Sequence, residues 1–411
     1  MILYGDLTYD SRVRKEARTF ALAGDQVTIV CLADASDRSD LPKGVTVLVR
    51  PTGGASVTPG ALNPFRAASR SRSAAVIRGV GWLRAYIRAL RAWGRWAVTS
   101  CGPVDLWHAN DLIGLAAIAP FVDRGEVIVY DVHDLILDTG TAVRLPVPVR
   151  ALLRWYERRL VSKVAAIVTV NAGLAGILRQ RFPGKRVEIV HNCPDRWSPP
   201  DAQPTLIRDA LGVGPEVPIL LYHGGLSANR GIEELMDAMR QPGLESAHLV
   251  LLGFGERRDA FKQAASDPVW QGRVHILDAV PPSDLLSWVA SADIGAVVHP
   301  GTKLNDRHKT PNKLFECIAA GVPVVVSDFP LMRRIALDGP TGPLGSRADP
   351  ASPESIGAAI RSLLALEPHE MAILRERCRT AARTIWNWET ESARLIDLYA
   401  TVIDPSHDHS R

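Results

Sequence analysis

The chain has 411 residues, a formal net charge of +4 and a hydrophobic fraction of 46%. That length suits two or three ordinary domains with real cores, and so mild a charge does not by itself point to nucleic acid. Met1-Ile2-Leu3-Tyr4 runs straight into Gly5 and Asp6 without a secretory signal, no apolar run is long enough to span a membrane, and the five cysteines show no CxxC spacing. Cys31, Cys101, Cys193, Cys317 and Cys378 are odd in number, which favours reduced thiols in a cytosol over a disulfide frame or a zinc site. The terminal "SHDHSR" reads as a frayed tail rather than a metal site.

In chain order the pattern is strand, loop, helix, repeated. "ILY" is a short strand, Gly5–Asp10 a loop, and a helix runs from about Ser11 to Ala23, stopped by Gly24. "QVTIV", "DLWHA", "VIVYDV" and "AIVTV" are later strands of the same half, with helices between them. Val187–Pro204 is proline-rich, has no helical period and reads as the linker. A second α/β half follows, with strands in "PILLYHGG", "HLVLLGFG", "VHIL", "IGAVV" and "PVVVS" and a helix in "GIEELMDAM". Met371–Val402 is helical, with Trp386, Trp388, Leu395 and Tyr399 as packing residues. The fold class is α/β with two doubly wound parallel sheets, and the cleft expected between the C-terminal ends of the two sheets is the default ligand site.

"HKTPNKLFECIAAGVPVVVSDFP", His308 to Pro330, carries the most chemistry. Thr310 suits an N-cap, Pro311 the first helical position and Gly321 the stop. At spacings of three and four, Asn312, Lys313 and Glu316 share one face, while Leu314, Phe315 and Ile318 turn to the core. Lys313 can meet a phosphate at the helix start, and the two oxygens of Glu316 suit a vicinal diol such as ribose. A solvated Lys–Glu pair is the bland alternative. In "YHGGLSANRGIEEL", Gly224 and Gly225 end a strand, and Arg230 precedes a helix as a bidentate phosphate donor; an ordinary tight turn reads the same way. Gly253 and Gly255 lack the third glycine of the dinucleotide fingerprint and suit a second ligand-lining loop.

In the first half, "DVHDL" places His133 and Asp134 at a strand end. A histidine there can stabilise charge or hold an acceptor hydroxyl, or be structural. His108 and Asp111 end another strand, and Asp10 and Arg12 flank the first loop. No DxD triplet occurs, so the usual carboxylate pair of a metal-dependent sugar-nucleotide site is absent. From Leu41 to Val104 there are ten basic residues and no acidic one. Within it, Val76, Val80, Leu83, Ile87 and Leu90 form a helical apolar stripe beside Arg84, Arg88, Arg91 and Arg95, with Trp82, Tyr86, Trp93 and Trp96 interleaved. Such a helix can lie on an anionic membrane through residues 76–96, or pack on the sheet with a solvated arginine edge.

Taken in order, "DSRVRKEARTFALAGDQVTIV", "VYDVHDL", "HNCPDRW", "YHGGLSANRGIEEL", "LLGFG", "ASADIGAVVHP", "PNKLFECIAAGVPVVVSDFP" and "WNWETE" resemble a glycosyltransferase of family 4 with the GT-B fold. The resemblance covers nearly the whole chain and is most specific over Pro311–Pro330. It implies two facing Rossmann-like domains: an acceptor-binding domain at 1–190, a linker at 191–204 and a nucleotide-sugar-binding domain at 205–385. A helix at 386–403 crosses back to the first domain, and 404–411 is a disordered tail. It also implies transfer of a hexosyl group with retention, without cofactor or metal, from a nucleoside-diphosphate sugar: UDP first, GDP or dTDP as alternatives. A polysaccharide, a glycolipid or a secondary metabolite would each fit as acceptor, and the expected location is cytoplasmic, or peripheral on the inner face of the membrane. By position, Glu316 resembles the ribose-contacting glutamate, Arg230 a diphosphate-neutralising residue and His133 the histidine near donor sugar and acceptor. Gly5 and Asp6 fall on the loop facing the transferred sugar.

Two positions depart from the family pattern. A first glutamate commonly stands eight positions before the second; here His308 occupies that place. The "GR" that commonly follows the strand is Gly224-Gly225, which makes Lys313 the candidate for the missing phosphate charge. A nucleotide-sugar epimerase of the same fold and a non-catalytic nucleotide-sugar-binding partner are the alternatives. The first needs carboxylates flanking the sugar, and the second is disfavoured by the presence of Arg230 and Lys313.

Overall fold

Short β-branched runs, each followed by an amphipathic helix, pair as parallel strands because only a helical crossover returns the chain to the same sheet edge. The computed structural model describes residues 1–35, 38–51, 72–123, 125–138, 142–200, 202–301 and 307–404. They group into two compact units, Met1–Val190 together with the chain from Ser392 onward, and His191–Glu391. The tail expected to be disordered lies outside the described residues beyond Asp404.

In the first unit the strands are β1 (Val27–Cys31), β2 (Val45–Val49), β3 (Leu106–Asn110), β4 (Val127–Val132), β5 (Ala166–Thr169) and β6 (Arg186–Ile189). The strand expected at residues 2–4 is reduced to Ile2, which bridges Val30 on one side and Ala109 on the other. Its N–H donates to the His108 carbonyl at 2.7 Å, and its carbonyl accepts from Asn110 N–H at 3.0 Å. The order β2-β1-Ile2-β3-β4-β5-β6 is parallel throughout. β6 corrects the expected start of the linker: Val187–Ile189 pair with Ile167–Thr169, and the prolines begin only at Pro194.

Helices α1 (Ser11–Leu22), α2 (Arg72–Cys101), α3 (Asp111–Ile118), α4 (Val147–Val161) and α5 (Ala172–Arg181) cover this sheet. α3 packs against both α2 and α4. Over the described part of α2, Leu90 and Trp93 are buried in the core, and Trp93 donates its Nε1–H to the Arg50 carbonyl at 3.0 Å. Tyr86 meets Tyr4 edge to face, and Arg84, Arg88, Arg91 and Arg95 stay exposed. The side chains of Val76, Val80, Trp82 and Leu83 lie outside the described residues. No described helix is long and apolar enough to cross a membrane.

The second unit holds β7 (Ile219–Gly225), β8 (His248–Phe254), β9 (Val274–Leu277), β10 (Ile294–Val297), β11 (Val324–Ser327) and β12 (Gly345–Ala348). Their order, β9-β8-β7-β10-β11-β12, is parallel throughout. The chain begins in the middle, winds outward and returns to the other side of β7. The topological switch point therefore lies between β7 and β10, where such sheets hold ligands.

The helix Asn312–Ala319 joins β10 to β11. Leu314, Phe315 and Ile318 are fully buried, each worth about 1.5–3 kcal/mol. Its start differs from expectation: Pro311, not Thr310, is the N-cap, with ψ 143°, and no side chain caps the helix. Extended backbone at the proline delays the first helical residue to Asn312.

The helical segment expected over Met371–Val402 consists of two helices, Pro368–Thr384 and Trp388–Ile403, the second lying within the helix expected at 386–403. One buried asparagine makes the break. Asn387 Nδ2 donates to the carbonyls of Ala382 and Arg383 at 2.8 and 3.1 Å, and its Oδ1 accepts from Thr390 N–H at 2.9 Å. It ends one helix and caps the next. From Ser392 the terminal helix belongs to the first unit, where Tyr399 stacks on Phe20 at 4.2 Å.

Candidate active site

In the second unit, β7 delivers Gly224 and Gly225 to the switch point. Gly224 has φ +110°, which a side chain would strain. Gly253 and Gly255, expected to line a ligand, have a prior reason to be glycine. A Cβ on Gly253 would stand 2.0 Å from the Gly224 carbonyl oxygen, and one on Gly255 would stand 2.3 Å from that of Leu226. They let the ends of β7 and β8 run side by side.

Across the switch point, Lys313 lays its Nζ 3.2 Å from the centroid of the Tyr222 ring. Burial pushes the ammonium down to about 7, and the charge of Arg230 adds to the shift. Arg230 is exposed, and its Nε–H donates to Ser227 Oγ at 3.3 Å. Among the described residues neither Lys313 nor Arg230 has a carboxylate within ion-pair distance. Among the described residues Arg230 and Lys313 therefore stand at the switch point without an ion-pair partner, the Glu316 carboxylate acting on Lys313 only weakly, and the repulsion between the two cations favours any anion that enters.

Glu316, one turn further along the helix, meets His223 Nε2 through its Oε2 at 2.8 Å. His223 is a buried residue that the sequence reading missed. Strand alternation could have found it: His223 follows the inward Leu221 on the face of β7 covered by this helix. Asn312 Oδ1 accepts from Asn192 Nδ2 at 3.2 Å, and His308 is half-buried on the loop before the helix.

The first unit assembles a different kind of cluster. Arg12, expected on the acceptor side of the first loop, is buried: its Nε lies 2.8 Å from Asp131 Oδ2 and 3.0 Å from Glu16 Oε1. Its Nη1 donates to the Val190 carbonyl at 2.7 Å. His108 is equally interior, with Nδ1 bonded to the Tyr399 hydroxyl and Nε2 3.3 Å from Glu16 Oε2. Both residues are therefore interior, not surface-facing as expected. The acid-rich trio Glu16, His108 and Asp131 is compact enough for a metal ion, but the Arg12 guanidinium already fills the place of a cation there.

His133 stands on the outer edge of this network, its side chain one-fifth exposed. Its Nε2 meets Asp131 Oδ2 at 2.9 Å, and its backbone N–H donates to Asp111 Oδ1 at 3.1 Å. Burial disfavours the imidazolium, but the carboxylates of Asp131 and Asp111 outweigh it and raise the ring to about 10. Asp131 is held well below the ordinary carboxylate range: burial opposes ionisation, and Arg12 and His133 overcome it. Burial lifts Asp111 to about 6 and pushes Glu16 upward as well. Asp111 also has φ +57°, a strained conformation for an aspartate. Asp10 caps α1 by accepting from Val13 N–H at 3.1 Å, and Asp6 accepts from Thr8 N–H at 2.9 Å, which fixes the loop after Gly5. Asp134 is exposed.

Comparison with known proteins agrees with this architecture. The family model described as Glycosyltransferase Family 4 matches residues 11–196, and that described as Glycosyl transferases group 1 matches residues 217–366. A D-inositol 3-phosphate glycosyltransferase of Xylanimonas cellulosilytica is 26% identical over 237 residues, 54% of this chain and 53% of that protein. The match to such curated relatives spans between about half and under two-thirds of their length. Among solved structures, sucrose-phosphate synthase from Thermosynechococcus elongatus superposes with a TM-score of 0.72 at 16% identity, covering 97% of this chain and 95% of that one. Anabaena HepE in complex with UDP and glucose gives a TM-score of 0.69 at 16% identity, covering 97% of this chain and 99% of that one.

Proposed function

The chain belongs to glycosyltransferase family 4 and has the GT-B fold, and from that premise we propose that it transfers a hexosyl group, with retention, from a nucleoside-diphosphate sugar to an acceptor hydroxyl. The observation that carries the reading is the pair Arg230 and Lys313, set at the switch point of the second sheet without an ion-pair partner among the described residues, with the Glu316 carboxylate one helical turn beyond Lys313. Breakage of the glycosyl–diphosphate bond sends its electron pair to the diphosphate. Charge therefore grows where the two cations stand, and they hold the transition state more tightly than the ground state. Glu316 takes ribose hydroxyls. The acceptor proton passes to the departing phosphate oxygen on the same face, so the reaction needs neither a protein base nor a metal.

On this reading the second unit binds the donor, with Gly224, Gly225, Gly253, Gly255 and Asn312 shaping the pocket. The first unit binds the acceptor, with Asp10, Asp111 and Asp134 toward it and Gly5 and Asp6 facing the transferred sugar. His133, held protonated by its two carboxylates, acts as a hydrogen-bond donor rather than a base. Arg12 and His108 support it from within. UDP is the preferred nucleotide, in keeping with the UDP complex of the Anabaena structure. The enzyme works in the cytoplasm, and the exposed arginine edge of α2 within residues 76–96 offers a peripheral contact with an anionic membrane; its inward Trp93 and Tyr86 do not. Calorimetric titration with UDP, GDP and dTDP, then with their sugars, tests the donor. Proton NMR of the first-formed product tests retention, and an inverted anomeric centre rejects the mechanism.

A further inference from the structure

We propose that α4 is a docking surface for an anionic lipid bilayer. Of the fourteen large apolar residues exposed among those described, five fall between Val143 and Trp155: Val143, Val147, Val149, Leu152 and Trp155. Val147 is 70% exposed, Leu152 62% and Trp155 58%. This is not a solvated helix face. Pro148, Leu152 and Trp155, at spacings of four and three, form one outward stripe that continues into Arg159. A shallow depression with Val147, Ala151 and Trp155 as its apolar part is rimmed by Arg150, Arg154 and Arg158.

Charge identifies the occupant. The one acid on the helix, Glu157, is turned inward, where it accepts from the Tyr130 hydroxyl at 3.3 Å and lies 3.6 Å from Arg181. Arg154 is neutralised by Asp138. Arg158 and Arg159 are exposed, and among the described residues neither has a carboxylate within ion-pair distance. The outward face therefore offers bulky apolar groups, an indole and uncompensated guanidiniums. That combination lies flat in the headgroup layer of an anionic membrane, with the tryptophan at the apolar boundary. At 15 residues the helix is too short to cross. α3 packs against both α4 and α2, which puts the arginine edge of α2 in the same helical layer. The inference does not depend on sugar transfer, and its test needs no activity.

The full chain is sedimented with vesicles of phosphatidylcholine alone or mixed with phosphatidylglycerol, at low and high salt. The wild type is expected to pellet with the mixed vesicles, and less so at high salt. The double variant Leu152→Ser with Trp155→Ser should lose at least about tenfold in partitioning. Arg158→Gln with Arg159→Gln should lose roughly fivefold per charge and much of the salt dependence. Both pairs are exposed, so both variants should melt like the wild type. Arg84→Gln with Arg88→Gln on α2 should cost less than the α4 arginine pair. A greater loss there, undiminished binding in the α4 variants, or equal binding to uncharged vesicles would overturn the proposal. So would self-association of the free wild type that Trp155→Ser abolishes, which would assign the stripe to a second copy of the chain.

Discussion

The two units handle charge in opposite ways. Around His133 every strong charge has a built partner: Arg12 lies between Glu16 and Asp131, and His133 sits against Asp131 and Asp111. Around Lys313 two cations stand without an ion-pair partner among the described residues, and the Glu316 carboxylate offsets little of the lysine's shift. A buried network of paired charges holds geometry, and removing one partner strands the others. An unsatisfied one raises the energy of the empty site and returns it when an anion binds. On the proposed function, the first arrangement serves folding and orientation and the second recognition.

Substitution at equivalent arginines breaks this contrast most sharply. Arg12→Met leaves Asp131 and Glu16 without their guanidinium and should cost about 3–5 kcal/mol. For a unit of this size that lowers the melting temperature by roughly 10 °C. Arg230→Met should leave melting unchanged within about a degree, because the side chain is exposed and bonded only weakly to Ser227. A wild-type melting curve for Arg12→Met would show that the network does not hold the first unit. Turnover should then separate the second pair. Arg230→Ala and Lys313→Ala should each lower kcat by about 10²-fold or more, as for loss of a group that meets developing negative charge. If either raised KM alone, its charge would serve only ground-state binding.

Central strands are legible in the sequence as dense apolar runs, as in Val322–Val326 or Ile128–Val132. The edge strands were not read: Gly345–Ala348 has almost no apolar content, whereas Val45–Val49 is as β-branched as any central strand and went unassigned all the same. Ile2 is legible as apolar, but its role between two strands depends on pairing with residues far along the chain. The residues proposed to hold the donor were readable because their chemistry is local. Lys313 and Glu316 share a helical face, and Arg230 precedes a helix. The first-unit cluster was not, because Arg12 finds Asp131 across 119 positions and His108 finds Tyr399 across 291. A loop-flanking arginine reads as exposed until the partner that buries it is known.

Glu316 tests where recognition and structure meet. Glu316→Ala should weaken nucleoside-diphosphate binding by about 1.5–3 kcal/mol, the range for hydrogen bonds to a charged group, with kcat less affected. His223→Ala should have a smaller effect of the same kind, since His223 only orients the carboxylate through its 2.8 Å contact. Titration calorimetry of both variants, with melting curves as control, ranks them. Wild-type affinity in a well-folded Glu316→Ala protein removes the ribose role. A variant that melts early makes Glu316 an anchor for His223.

The last effect follows from pH, and close to neutrality it is the smallest. Lys313 is pushed down to about 7 by burial, with Arg230 adding to it. An arriving diphosphate favours the ammonium, so binding near neutral pH should take up a proton. The intact nucleotide sugar is the ligand to use, because its diphosphate has no terminal phosphate to titrate. Below about pH 7 the free lysine is already charged and affinity should be flat. Above it, affinity should fall by roughly tenfold per pH unit, up to the higher pKa that the lysine has in the complex. Melting curves cannot isolate this. The depressed lysine binds fewer protons folded than unfolded, so it makes stability rise with pH above about 7. His133, raised to about 10 from an ordinary value near 6.5, makes stability fall across an overlapping window. Lys313→Arg is the control, since a guanidinium stays charged throughout. Its affinity should be level between pH 7 and about 9, and proton uptake, measured calorimetrically in buffers of different ionisation enthalpy, should vanish. A wild-type profile as flat as that of Lys313→Arg would mean that the pocket holds its lysine fully charged before the donor arrives.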